Sequence, residues 1–185
     1  KKVTVFVELK ARFDEENNIK WAKRMRQAGV DIIYSIPELK VHAKLALVKR
    51  KRNNNTEYFG LLSTGNFNEG TARFYTDHIL MTTDERMLNE AEALFRFLKK
   101  RKKPSHATSL TFNHLLVAQF NLQSRFVELI DREIAHARKG LPASIVIKLN
   151  NLEEKVMIGK LYEPSRAGVN ISLIITGICC LVPGV

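Results

Sequence analysis

Cysteine is nearly absent from this 185-residue chain, and the two it has, Cys179 and Cys180, are neighbours and poorly placed to bridge each other. A disulfide scaffold is excluded, no thiolate metal pattern exists, and a reducing cytoplasm is the expected setting. Long apolar runs are missing as well. The most apolar stretch, Val169 to Val182, is broken by Asn170, Ser172, Thr176 and Gly177 and falls short of the ~20 residues that cross a bilayer. It reads as a buried strand leading into a turn, so no integral membrane segment is expected. No signal-peptide pattern opens the chain. It begins on the strand-like Lys1-Lys2-Val3-Thr4-Val5-Phe6-Val7 and stops after Pro183-Gly184-Val185, so a fragment of something longer is expected.

Acidic residues are also short in supply. Nineteen Asp and Glu face 30 Lys and Arg, giving a net charge of +11, which points to a polyanionic partner: nucleic acid, an anionic membrane or a phosphate-rich substrate. Nine of the 30 basic residues fall in two runs, Lys49-Arg50-Lys51-Arg52 and Lys99-Lys100-Arg101-Lys102-Lys103, and the remainder is almost neutral. An apolar content of 45% with 26% charged residues excludes a disordered tail and suffices for one good core or two small ones.

Alternating strand and helix signals predict an α/β protein. Val3 to Leu9 reads as a buried strand, and Asp14-Glu15-Glu16 opens a helix with an N-cap and first-turn acids. Ile19, Ala22, Met25 and Ala28 form its apolar stripe, and Gly29 stops it. Val30 to Ile36 is a second strand, and Leu39 to Val48 with Tyr58 to Ser63 are hairpin arms around a tip made of the first basic run and Asn53-Asn54-Asn55. Phe74 to Thr82 reads as a strand; Asp84 caps a helix with Leu88, Ala91, Leu94, Phe95 and Leu98 inside; the second basic run reads as a linker. A helix over Ser124 to Lys139, a strand over Ser144 to Leu149 and a helix from about Glu153 to Arg166 follow. Laying Ala28-Gly29-Val30 on Ala167-Gly168-Val169, an offset of 139, aligns the two strand–helix–strand stretches and suggests a repeated α/β unit.

Chemistry gathers in a few places. Strand alternation sets His42 and Lys44 on one face, where a phosphoryl group could be their anionic partner: neutral imidazole attacks phosphorus and ammonium neutralises its oxygens. The same pair also fits a half-exposed strand with two ordinary polar residues. Ser63-Thr64-Gly65-Asn66 makes either the polar edge of a pocket or a tight turn. Thr71, Arg73, Tyr75 and Asp77 alternate along one predicted strand face and suggest a lined cleft. Arg12, between the first strand and its helix, suits phosphate or a salt bridge to Asp14, Glu15 or Glu16.

These residues stand in segments that closely resemble bacterial class-1 polyphosphate kinases: Val7 to Asn17, Lys40-Val41-His42-Ala43-Lys44-Leu45, Thr64-Gly65-Asn66-Phe67-Asn68 and Thr71 to Asp77. The likeness continues through Leu129-Ile130-Asp131-Arg132-Glu133-Ile134 and Lys148-Leu149-Asn150-Asn151-Leu152, covering nearly the whole chain. The resemblance implies a phospholipase-D-like module of two related α/β units with mixed sheets: residues 1–103 as the first catalytic domain and 104–185 as the truncated start of the second. It further implies that His42 is phosphorylated by ATP and passes the phosphoryl to inorganic polyphosphate, reversibly and with Mg2+, ADP being the other product. Tyr75 then contacts nucleotide, and Arg12 sits at phosphate oxygens that the magnesium also touches, since a guanidinium cannot ligate a cation. Lys44 is assigned to catalysis, and Asn66 and Arg73 to substrate. A bacterial cytoplasmic homo-oligomer without nucleic-acid partners is implied, with peripheral membrane association left open.

Two departures stand out. A hydrolytic phospholipase-D motif carries Asp five residues after its lysine, where this chain has Lys49, and Thr176 stands where an arginine is expected. The first disfavours a phosphodiesterase or nuclease, which together with a non-catalytic polyanion-binding module is the alternative reading. With a second histidine and further domains expected outside the chain, the 185 residues alone are expected to show little kinase activity.

Overall fold

The structure is a computed structural model that describes residues 1–8, 15–105 and 109–184. It forms two compact units, Lys1–Leu115 and Leu116–Val185. The first compact unit takes in the basic stretch and runs on to Leu115, where the Glu90 carboxylate accepts hydrogen bonds from the backbone N–H groups of Asn113, His114 and Leu115.

The first unit opens with β1 (Thr4–Val7), α1 (Glu15–Gln27) and β2 (Asp31–Tyr34), the strands paired in parallel from Thr4↔Asp31 to Val7↔Tyr34. The cap expected at Asp14 lies outside the described residues. Of the predicted stripe on α1 only Ala22 is buried, and Ile19 is 52% exposed, because two short strands cover little of the helix.

A long hairpin follows, β3 (Lys44–Arg52) and β4 (Asn55–Ser63), turning at Asn53 and Asn54 with φ of +48° and +63°. Two consecutive left-handed residues match the right-handed twist of the arms, and asparagine tolerates that region. The first basic run therefore lies in the ladder and not in a solvated tip. Lys49 donates to Glu92 at 3.0 Å and Arg50 pairs with Glu57 at 2.6 Å.

The strand predicted over Phe74 to Thr82 is mostly absent. Residues Glu69–Ala72 make a short helix, α2, and only Ile79–Thr82 form β5, antiparallel to β4. Local side-chain bonds win over alternation here: the Asn68 Oδ1 caps α2 by accepting from the Thr71 N–H at 3.0 Å. Thr71, Arg73, Tyr75 and Asp77 therefore do not share a strand face. Next comes α3 (Glu85–Lys99), capped by Asp84, which accepts from the Arg86 N–H at 2.9 Å. It buries Leu88, Ala91, Leu94, Phe97 and Leu98, so Phe97 joins the predicted inner residues while Phe95 is only half-buried.

The second unit contains α4 (Leu122–Arg138), β6 (Ser144–Leu149), α5 (Lys155–Arg166) and β7 (Asn170–Ile175), with β6 and β7 parallel. Its core joins Ile130 and Ile134 of α4, Leu152 and Leu161. Ile145, Ile147, Leu149, Leu173 and Ile175 pack on that core, while Val146 and Ile174 on the other sheet face are exposed, so these strands are buried on one side only. The expected run to Val182 ends at Ile175.

The 139-residue offset recurs in the bonds themselves. After α1 the Val30 N–H reaches the Met25 carbonyl at 3.0 Å, and after α5 the Val169 N–H reaches that of Pro164 at 2.9 Å. Gly29 and Gly168 between them have φ of +83° and +84°. Both helices thus end in the same glycine-dependent motif before a parallel strand. Among the described residues the architecture is α/β as expected, but the expected mixed sheets are not formed: strands joined through a helix pair in parallel, the hairpin and β5 pair antiparallel, and the two kinds stay in separate sheets.

Candidate active site

His42 lies just before β3, not on it, because the ladder begins at Lys44↔Ser63. What holds the segment is Glu8, immediately after β1, whose Oε2 accepts from the Val41 N–H at 3.3 Å. In turn Asn18 of α1 donates to the Glu8 carbonyl at 3.0 Å. His42 is thereby carried to the C-terminal end of β1, where open α/β sheets place their ligands.

His42 and Lys44 do come together. The Lys44 Nζ lies 2.9 Å from both Nδ1 and Nε2 of the imidazole, and a neutral ring offers it one lone pair to donate to. Loss of surrounding water, then the charges of Lys44 and Lys40, hold His42 below the ordinary imidazole value. The imidazole is consequently neutral near pH 7, the form that can act as a nucleophile. Lys44 is itself lowered by partial burial and by Lys40, with Asp77 pulling the other way.

Register sets Ser63 opposite Lys44, and the Ser63–Asn66 turn follows directly. Ser63 Oγ donates to the Gly65 carbonyl at 2.8 Å and accepts from the Gly65 N–H at 3.1 Å. Thr64 Oγ1 donates to Asp77 Oδ1 at 3.0 Å and accepts from the His78 N–H at 3.0 Å. The Asp77 carboxylate lies against Gly65 so closely that a Cβ there would fall 1.8 Å from its Oδ2. These bonds close the 64–78 loop on itself beside the His42–Lys44 pair.

Asn66, Arg73 and Tyr75 are all on that loop and exposed, Tyr75 at 69%. Their side chains make no hydrogen bond or ion pair with His42 or Lys44. Arg12 lies outside the described residues. Sequence reasoning missed Glu8, whose one signal was its place at the end of a strand, and noted Asp77 only as part of an alternation that does not exist.

Thr176, in the second unit, caps the end of β7: its hydroxyl donates to Asn150 Oδ1 at 3.1 Å and its N–H to the Leu149 carbonyl at 3.2 Å. Among the described residues no three His, Cys, Asp or Glu side chains gather to hold a metal. Near the pair, Glu8 Oε2 accepts from the Val41 N–H and Asp77 Oδ1 from the Thr64 hydroxyl. Also among the described residues, no helix is long and apolar enough to cross a membrane, and Cys179 and Cys180 are exposed and free.

Residues 1–104 match the family model for polyphosphate kinase C-terminal domain 1, and residues 115–185 match that for C-terminal domain 2. The chain belongs to the polyphosphate kinase family. It is 49% identical over 183 residues to the polyphosphate kinase of Escherichia coli K12, and 46% identical over 184 residues to that of Vibrio vulnificus. The chain spans 26% of the length of each of these polyphosphate kinases, while they match 99% and 100% of it. The crystal structure of polyphosphate kinase from Porphyromonas gingivalis superposes with a TM-score of 0.83 at 47% identity, over 100% of this chain and 30% of that one.

Proposed function

We propose that this protein is an ATP:polyphosphate phosphotransferase working through phosphohistidine at His42. The observation that carries the reading is the neutral His42 imidazole with the Lys44 ammonium 2.9 Å away, in a chain of this family. A ring nitrogen of His42 attacks the γ-phosphorus of ATP; the P–N bond forms as the bond to ADP breaks, and ADP leaves with the electron pair. A terminal oxygen of polyphosphate then attacks the phosphohistidine, the P–N bond breaks and the imidazole is restored. The reverse sequence makes ATP. Lys44 neutralises the oxygens of the transferring group, and Arg12, Asn66, Arg73 and Tyr75 are assigned to nucleotide and phosphate. A divalent cation bound on the nucleotide phosphates, expected to be Mg2+, would supply charge neutralisation there.

The same reading takes the fold as phospholipase-D-like, a first catalytic half through residue 103 and the start of a second from 104. It takes the protein as a bacterial cytoplasmic homo-oligomer with ATP, ADP and polyphosphate as partners and no nucleic acid. A phosphodiesterase is disfavoured by position 49, where the hydrolytic motif needs a carboxylate and Lys49 is bonded to Glu92.

Labelling the full-length protein with γ-phosphate-labelled ATP tests the proposal. An acid-labile, base-stable adduct is expected, lost in His42→Ala. Undiminished labelling in that variant removes His42 from the role.

A further inference from the structure

The second basic run divides its residues between two tasks. Lys99 pairs with Asp31 at 2.6 Å, Arg101 donates to the Ser35 carbonyl at 3.4 Å, and Lys103 pairs with Glu38. These alternate residues tie the end of α3 to β2 and the turn after it. The residues between them, Lys100 and Lys102, line a separate open cleft of about 340 Å³ together with Arg96, over a floor of Ala93, Phe97 and Leu110. Neither lysine side chain has a carboxylate partner among the described residues. Arg96 is held only loosely, 3.7 Å from a Glu92 that already accepts from Lys49 at 3.0 Å and Tyr58 at 2.8 Å. Helical spacing places this cleft on the other side of α3 from the one that Lys44 lines, which uses Leu94, Phe95 and Leu98.

Three cations lining one open cleft with no carboxylate among its described lining residues make a surface for an anion chain, and lysine and arginine stems extend its apolar floor. We propose that the Arg96–Lys100–Lys102 cleft is a second binding site for a linear chain of phosphates, which holds polyphosphate away from its reacting end. The identity of the occupant rests on the kinase reading above. A chain tethered there returns its end to His42 at raised effective concentration, so the site favours many additions per encounter.

The test is a titration of the purified full-length protein with fluorescently labelled long-chain polyphosphate across a salt series, read by anisotropy. Replacing Arg96, Lys100 and Lys102 by alanine together is expected to weaken binding about tenfold at moderate salt. By analogy with single-stranded nucleic acids, it should flatten the log–log salt dependence by about 2, the value for three lost phosphate contacts. Lys100→Arg with Lys102→Arg should keep both. The alanine variant should make shorter chains while His42 still labels from ATP at the normal rate. Unchanged affinity and slope in the alanine variant overturn the site with the kinase reading intact, as does binding to anionic vesicles but not to polyphosphate. Absence of His42 labelling in the unsubstituted protein overturns the kinase reading instead, and with it the occupant.

Discussion

A single carbon added at Gly65 tests whether the 64–78 loop is braced as described. The three atoms nearest to a Cβ built there are all from the Asp77 carboxylate, at 1.8, 2.1 and 2.6 Å. Gly65 is not in the left-handed region, so alanine meets no backbone strain there; the nearest obstacle is the Asp77 carboxylate. For Gly65→Ala to fit, the carboxylate must leave, and the Thr64–Asp77 hydrogen bond of 3.0 Å breaks. Loss of that exposed, charge-assisted bond costs about 1.5 kcal/mol. Restricting the unfolded chain returns about 0.5 kcal/mol, leaving a net destabilisation of about 1 kcal/mol. In an Asp77→Ala background the obstacle is gone and only the restriction remains, so the same substitution becomes stabilising by about 0.5 kcal/mol. Urea unfolding of the four proteins of this cycle measures both values. An equal effect of Gly65→Ala in the two backgrounds would refute the bracing, and with it the account of why glycine stands there.

His42, held low by loss of water and by Lys44 and Lys40, is neutral over more of the pH range than a free imidazole; Lys44→Met should raise its titration midpoint toward the ordinary value, followed by imidazole NMR. Labelling by ATP should accordingly rise with pH, with its midpoint below the free-imidazole range. Partial burial raises Glu90, but donors from Asn113, Leu115 and His114 outweigh it and hold its carboxyl low. The anchoring is therefore full above the ordinary glutamate range and lost as pH falls through the depressed value, and amide exchange at residues 113–115 should accelerate there. Glu90→Gln should speed that exchange at neutral pH. Gly29→Ala and Gly168→Ala, at φ of +83° and +84°, should each lower stability by about 1 kcal/mol, and a much larger effect at either site alone would contradict the matched helix ends.

Much of the chain was readable because its signals are local. The Asp84 cap, the inner residues of α3, the β6 strand and the glycines ending α1 and α5 depend on neighbours within a few positions, and the structure has them. What alternation could not supply was the point at which a ladder begins. His42 and Lys44 meet as expected from being two residues apart, yet His42 stands ahead of β3, set by a Glu8 hydrogen bond that spans 33 residues of sequence. Long-range partners also decide what the charged runs are. Lys49 and Arg50 looked like a solvated tip until Glu92 and Glu57 lay beside them, and Lys99 and Lys103 looked like linker until Asp31 and Glu38 did. Charge counted along the sequence overstates the positive surface, because pairing across the fold neutralises some members of a run and leaves others to act. In the second run, ion pairs take Lys99 and Lys103 while Lys100, Arg101 and Lys102 keep their charge, Arg101 being positioned by a carbonyl and Arg96 lying loosely held beside them.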